Sequence, residues 1–195
     1  TITEDNDASV IALGSGNQAH TQTYIENGVA KVIDAGIVLT DVDDTHLVGA
    51  TVKVTGGEFD SAIDNLGTDG DELGWNTTIA GNHSITVSIN TAKDELTLSG
   101  SATKAQYQEL LRTVTYKSTS DNLTDRATGT GDSNSNTTAH QDRTVTWTVT
   151  DANDDAVDTG AAGTTDDRNT VSAATTITIT EDNDASVIAL GSGNQ

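Results

Sequence analysis

The stretch Arg143-Thr144-Val145-Thr146-Trp147-Thr148-Val149-Thr150 decides the fold. Val145, Trp147 and Val149 alternate with threonines, and this period of two is typical of a β-strand with one buried face. Shorter stretches with the same alternation lie at 50–54, 84–89, 95–98, 113–116 and 176–179. Turns rich in Gly, Asn and Asp separate them. The pattern predicts an all-β fold, an antiparallel β-sandwich in which Trp147 belongs to the core.

One segment departs from the strand pattern. Residues 102–111 are rich in helix formers, and Thr103 and Gln106 have the spacing of a capping box. The apolar residues of this segment fall on one helical face: Tyr107, Leu110 and Leu111. We therefore expect one short helix near residues 102–111, closing one end of the sandwich.

The composition is acidic and poor in apolar residues. The formal charge is −21, with 33% hydrophobic and 3% aromatic residues. Such values are also typical of disordered chains, but the strand periodicity argues against disorder here. The charge argues against nucleic acid and anionic membranes as partners, and no apolar run is long enough for membrane insertion. There is no cysteine to form a disulfide. Divalent cations are therefore expected to neutralise the negative charge and to cross-link parts of the fold.

The first and last segments are identical. Residues 1–18 and 178–195 both read TITEDNDASVIALGSGNQ, at an offset of 177 residues. The repeat predicts tandem copies of a whole domain. We divide the chain into an inter-repeat linker at 1–7, one β-sandwich repeat at 8–180, and a linker with the first strand of the next repeat at 181–195. The expected partners are neighbouring identical repeats in the same chain, and the chain is expected to be monomeric.

Acidic residues cluster where predicted strands end. Because strand ends meet at the two ends of a sandwich, acids from distant clusters can converge there. Carboxylate and Asn oxygens are the ligands that Ca²⁺ prefers, whereas Mg²⁺ demands stricter geometry. The alternative is that these loops are simply solvated. The candidate Ca²⁺ ligands are Glu4, Asp5, Asp7, Glu26, Asp41, Asp43, Asp151, Asp154, Glu181, Asp182 and Asp184.

Motifs of enzymes are absent from the sequence. The four histidines lack the spacing of a zinc site, and there is no nucleophile elbow or P-loop. Paired carboxylates could hydrolyse a glycoside, but the few aromatic residues argue against a sugar cleft. We therefore expect no enzymatic activity.

Two stretches resemble a known family. Residues 179–185, ITEDNDA, look like the inter-domain linker of cadherin-type repeats, and Glu26, Asp41, Asp43 and Asp151 look like the further acids that converge on it. Residues 102–116, ATKAQYQELLRTVTY, are similar to a stretch in cadherin-like, Ig-like repeats of large bacterial RTX adhesins. The resemblance covers about residues 22–184. A polar insertion between Asn122 and Arg143 is longer than in those repeats.

The resemblance implies type I secretion, an extracellular location on the bacterial cell surface, and a role in biofilm or host attachment. The expected function is that of a structural extender, made rigid by Ca²⁺ at the junctions between repeats and projecting a distal adhesive domain. The alternative is an adhesion module that binds a glycan or another cell-surface ligand through the polar loop at 120–142. A second polar loop, at 158–169, has no assigned role.

Overall fold

We describe the protein from a computed structural model. The structure describes residues 8–14, 16, 19–42, 44–57, 70–119, 142–152 and 170–180. In chain order the strands in these ranges are β1 (Val10–Ala12), β2 (Ala19–Ile25), β3 (Lys31–Val32), β4 (Val38–Thr40), β5 (His46–Gly56), β6 (Asp71–Gly74), β7 (Thr86–Ile89), β8 (Glu95–Thr103), β9 (Thr115–Ser118), β10 (Asp142–Asp151) and β11 (Thr170–Thr180). The helices are α1 (Thr77–Asn82) and α2 (Lys104–Leu111).

The main sheet has six strands in the order β2-β11-β10-β5-β8-β7. β10, the strand that contains Trp147, is paired on both sides and runs antiparallel to β5 and β11. Its Val145, Trp147 and Val149 are buried, as the alternation predicts. At the edge of the sheet, β2 runs parallel to β11. β1 belongs to a different sheet, so the chain changes sheet between β1 and β2.

Two smaller sheets, β1-β4 and β3-β9-β6, contribute to the same core as the main sheet. Buried side chains from all three sheets form one apolar cluster, so the all-β, sandwich-like fold predicted from the sequence is confirmed. Within this core, the rings of Tyr24 and Tyr116 meet edge to face with centroids 4.9 Å apart. Trp147 donates from Nε1 to Oγ1 of Thr175 at 2.9 Å, so its one polar atom is satisfied inside the core.

The outer face of the six-stranded sheet carries hydroxyl groups. In register across five strands lie Ser172, Thr148, Thr51, Thr97 and Ser88. In the next row, Lys53 of β5 and Glu95 of β8 form an exposed ion pair at 2.7 Å. This arrangement accounts for the alternation of threonine with apolar residues in the sequence, because one face of each strand is buried in the core and the other is exposed to solvent.

Both helices begin at a side-chain N-cap. The capping box at α2 is present, with Thr103 as N-cap and Gln106 at its third position, and the helix begins at Lys104. Tyr107, Leu110 and Leu111 are buried as expected. The sequence analysis did not predict α1, which is six residues long and begins after Asn76, whose side chain accepts from the backbone N–H groups of the first turn.

The chain enters and leaves this domain at opposite ends. Ser9, which precedes β1, bonds to Asp41 at the same end as Asp151, the last residue of β10. β11 ends at Thr180, which is in register with Ile25. β10 is ten residues long and antiparallel to β11, so the two ends lie about 30 Å apart. We call them the entry end, marked by Ser9, and the exit end, marked by Thr180.

Candidate metal site

Three aspartates converge at the entry end. Asp41 and Asp44 lie in the connection between β4 and β5, and Asp151 is the last residue of β10. One carboxylate oxygen from each lies within 4.8 Å of the others. Asp44 and Asp151 are 1% and 0% exposed, and Asp41 is half-buried. We call these three residues the aspartate triad.

The main sheet brings the triad together. β5 begins at His46, and its partner β10 reaches Asp151 in register with Leu47 after an irregularity in the pairing. The backbone N–H of Ala152 still donates to the carbonyl oxygen of His46 at 3.2 Å, so β10 remains paired to its end. The connection that carries Asp44 therefore lies directly beside the last carboxylate of β10.

The connection itself is held by local hydrogen bonds. The backbone N–H of Asp44 donates to Oδ1 of Asp41 at 3.0 Å, and Oγ of Ser9 bonds to the other carboxylate oxygen of Asp41. Lys104, the first residue of α2, donates from Nζ to the carbonyl oxygen of Asp41 at 3.0 Å and to that of Asp44. Segments distant in sequence therefore fix the position of the acidic connection.

The triad and Lys104 together carry a formal charge of −2, from three carboxylates and one ammonium group. Concentrating like charges in a buried site is unfavourable unless a counter-charge is present. One divalent cation would balance this charge. Because the donors are carboxylate oxygens, the residues fit Ca²⁺, which takes about six to eight oxygen ligands. Three carboxylates leave positions for carbonyl oxygens, water or residues from outside the domain.

The structure places the predicted ligands in different locations. Asp41 and Asp151 lie in the triad. Glu26 is buried at the exit end, where its backbone N–H donates to the carbonyl oxygen of Thr180 at 2.9 Å. Asp44 belongs to the acidic cluster at 41–44 but is not among the predicted ligands. Its position just before β5 is the sequence feature that could have identified it as a ligand. The other predicted ligands lie outside the described residues: Glu4, Asp5, Asp7, Asp43, Asp154, Glu181, Asp182 and Asp184.

A second buried acid, Asp71, has a different environment. Nε of Arg143 donates to its Oδ2 at 3.0 Å, and the hydroxyl of Tyr116 donates to its Oδ1 at 2.7 Å. All three side chains are buried. Burial, and then the nearby Asp71 carboxylate, raise the pKa of Tyr116. Since protein donors occupy both oxygens of Asp71, this cluster serves the packing of the core.

The described histidines take no part in the triad. His83 forms an ion pair with Glu109, with Nε2 and Oε2 2.7 Å apart, and Nδ1 of His46 lies 2.8 Å from Oγ1 of Thr45. Across the ranges that the structure describes, the triad alone groups three or more potential metal-ligating side chains. None of the helices in these ranges has the length and apolar character needed to cross a membrane.

Comparisons with known proteins give one significant similarity. Part of the chain is 38% identical over 94 residues to halomucin from Haloquadratum walsbyi (strain DSM 16790 / HBSQ001). The match covers 48% of this chain and 1% of halomucin, so the chain spans a very small part of that relative's length. The chain matches no protein-family model, and no solved structure is significantly similar to it. At the level of class, the match supports a repeat protein of a cell surface.

Proposed function

We propose that this chain is a non-catalytic spacer repeat of a secreted bacterial cell-surface adhesin, and that Ca²⁺ bound at the entry end makes its junction with the preceding repeat rigid. The observation that carries the proposal is the convergence of Asp41, Asp44 and Asp151 at the end where the chain enters the domain. A cation at that position stabilises the domain and holds the connector at the same time.

The placement of the two ends supports a spacer. A domain whose chain enters at one end and leaves about 30 Å away at the other extends its parent protein with every copy. A domain whose two termini were adjacent would instead project sideways from the chain and add little to the length of the parent protein. The identity of residues 1–18 with 178–195 supplies the repetition that such a stalk needs.

The connector between repeats is short. β11 ends at Thr180, which corresponds to Thr3, and Ser9 is already attached to the entry end. Only Glu4, Asp5, Asn6, Asp7 and Ala8 lie between these points, a reach of about 20 Å for a fully extended chain. We propose that carboxylates of this connector complete the coordination of the ion, with Glu26 of the preceding repeat close to the junction.

The energetics suit a secreted module. Extracellular calcium modules bind with Kd of about 10⁻⁴ to 10⁻³ M. At a free Ca²⁺ concentration about 100-fold above Kd, one site adds about 2.7 kcal/mol to the free energy of unfolding. This is a large fraction of the roughly 5–15 kcal/mol that stabilises a typical domain. The domain would be stable in calcium-rich surroundings and weakly folded before secretion.

The test is thermal unfolding of the chain in EDTA, in Ca²⁺ and in Mg²⁺, with NaCl matching the ionic strength. We expect a calcium-selective rise in Tm that disappears in the double variant Asp44→Asn/Asp151→Asn. The control Glu72→Gln/Glu109→Gln removes the same charge from exposed sites and should retain the rise. An equal rise with all three salts would mean that the ions only screen the net charge, and the proposal would fail.

A further inference from the structure

The exposed large hydrophobic side chains are gathered at the two ends of the domain. Among the described residues they are Val10, Ile25, Val29 and Val42, which are 49%, 56%, 85% and 90% exposed. Single exposed apolar residues are common on soluble proteins and need no explanation. Their distribution is unusual here, because the main sheet offers a broad solvent-facing surface and carries hydroxyl groups there instead.

At the exit end, Ile25 is the last residue of β2 and lies in register with Thr180. Val29 directly follows a turn over residues 25–28, which is closed by a hydrogen bond of 2.9 Å from the N–H of Gly28 to the carbonyl oxygen of Ile25. The hydroxyl of Tyr24 lies 2.9 Å from the carbonyl oxygen of Gly28 and anchors the turn to the core. Val29 is therefore exposed to solvent directly after an anchored turn.

At the entry end, Val42 follows Asp41 in the connection that Lys104 and the Asp44 N–H hold in place. Val10 is in register with Thr40, the residue before Asp41. Each end thus combines a buried carboxylate with apolar side chains at the surface, Glu26 with Val29 at the exit and Asp44 with Val42 at the entry.

We infer that Ile25 and Val29 of one repeat pack against Val10 and Val42 of the next copy, forming a small apolar contact beside the calcium junction. The inference rests on the proposed tandem arrangement. The partner follows from the sequence: a connector of only a few residues must bring the exit end of one copy close to the entry end of the next. The two surfaces differ, so the contact is head-to-tail and repeats along the stalk without closing into a ring.

A contact of this size would not join free domains, because two small apolar patches cannot offset the entropy lost when separate molecules associate. The short connector changes this by raising the effective concentration of one end near the other. The contact therefore restricts the angle between neighbouring repeats. Calcium holds the connector at the junction, and the apolar contact limits bending between neighbouring repeats.

The test uses a two-repeat chain, made by continuing residue 195 into residue 19 of a second copy, so that the junction keeps its natural sequence. The chain has no cysteine, so Thr97→Cys in each repeat places one spin label on each outer sheet face. Pulsed electron paramagnetic resonance then measures the distribution of distances between the labels, in Ca²⁺ and in EDTA. We expect one narrow distance peak in Ca²⁺.

The decisive variants are Val29→Ser in the first repeat and Val42→Ser in the second. Either change should broaden the peak in Ca²⁺, though not to the width measured in EDTA, whereas Thr86→Ser, which removes an exposed methyl group from the edge strand β7, should leave it narrow. The same valine changes in the single chain should leave its Tm unchanged, because both side chains are exposed. A narrow peak that survives both valine changes would overturn the apolar contact but leave the calcium junction standing. A broad distribution for the unmodified two-repeat chain in both solutions would overturn both.

Discussion

Nε of Arg143 donates a hydrogen bond to Oδ2 of Asp71 across 3.0 Å, and both side chains are buried. The two residues are 72 positions apart in the chain, one at the start of β10 and the other at the start of β6. The pair therefore links the main sheet to the sheet β3-β9-β6 at the exit end. Tyr116 of β9 donates to the second oxygen of Asp71, so three strands share one buried carboxylate.

Removing one partner of this pair should be far more harmful than replacing both. We expect Arg143→Met to lower the free energy of unfolding by about 3–5 kcal/mol, because the Asp71 charge is left buried without its counter-charge. The double variant Arg143→Met/Asp71→Leu should recover a large part of this loss. Urea unfolding of the single and double variants measures both effects. Equal losses in the two would contradict this account of the pair.

Thr175 tests whether the polar atom of Trp147 needs its partner. Thr175→Val keeps the shape of the side chain but removes the acceptor for Nε1, and a buried unsatisfied donor costs about 1–3 kcal/mol. Thr176→Val makes the same chemical change on the neighbouring residue, which faces the other side of β11. It should alter the free energy of unfolding by less than about 0.5 kcal/mol. Chemical denaturation followed by tryptophan fluorescence compares the two, and similar losses would contradict the assignment.

The elements predicted correctly from the sequence are those fixed by neighbouring residues. The alternation in 143–150 defines β10, the apolar period in 84–89 defines β7, and Thr103 with Gln106 defines the start of α2. Each of these patterns is complete within one short stretch. The burial of Trp147 follows from the same alternation, because a strand in the middle of a sandwich can bury only one of its faces.

The elements that sequence reasoning missed depend on distant partners. α1 consists of residues with modest helix propensity, including Gly81, and is held by the Asn76 cap and the burial of Ala80. The Asp71–Arg143 pair joins strands whose pairing no local pattern specifies. Asp41 and Asp151 were predicted as ligands, but their closeness depends on β10 lying next to β5. Strand order is a long-range property, so no local pattern shows that carboxylate oxygens of Asp44 and Asp151 lie within 4.8 Å of each other.

Two glycines should respond in opposite ways to the same substitution. Gly57 has φ +79°, and a Cβ there would lie 1.9 Å from the carbonyl oxygen of Asp142. We expect Gly57→Ala to destabilise the protein by at least about 1–3 kcal/mol, since both the backbone and its neighbour must move. Gly81 lies in α1 with open space around it, and Gly81→Ala should stabilise the protein by about 0.5–1 kcal/mol. Thermal unfolding of both variants measures the contrast, and a stabilising Gly57→Ala would contradict the local geometry.

Alkaline pH should unfold the protein through its buried tyrosines. Burial raises the pKa of Tyr107 from 10.0 to about 12, and burial is also the main cause of the raised pKa values of Tyr24 and Tyr116. The folded state therefore binds more protons than the unfolded state above pH 10, and its stability falls as the pH rises. The stabilising contribution of Tyr107 is fully present below pH 10 and is lost as the pH rises towards about 12.

Tyrosinate absorbance and circular dichroism, followed together during an alkaline titration, check this expectation. The three tyrosines should ionise in one cooperative step that coincides with loss of the fold, rather than one by one near pH 10. Tyr107→Phe removes one titrating group and also the 2.6 Å hydrogen bond to the carbonyl oxygen of Gly100. The variant should be less stable at neutral pH and lose less stability between pH 10 and about 12. Ionisation of all three tyrosines near pH 10 in a chain that remains folded would show that their hydroxyl groups are accessible to solvent, contrary to the packing of Tyr24 and Tyr116 in the core.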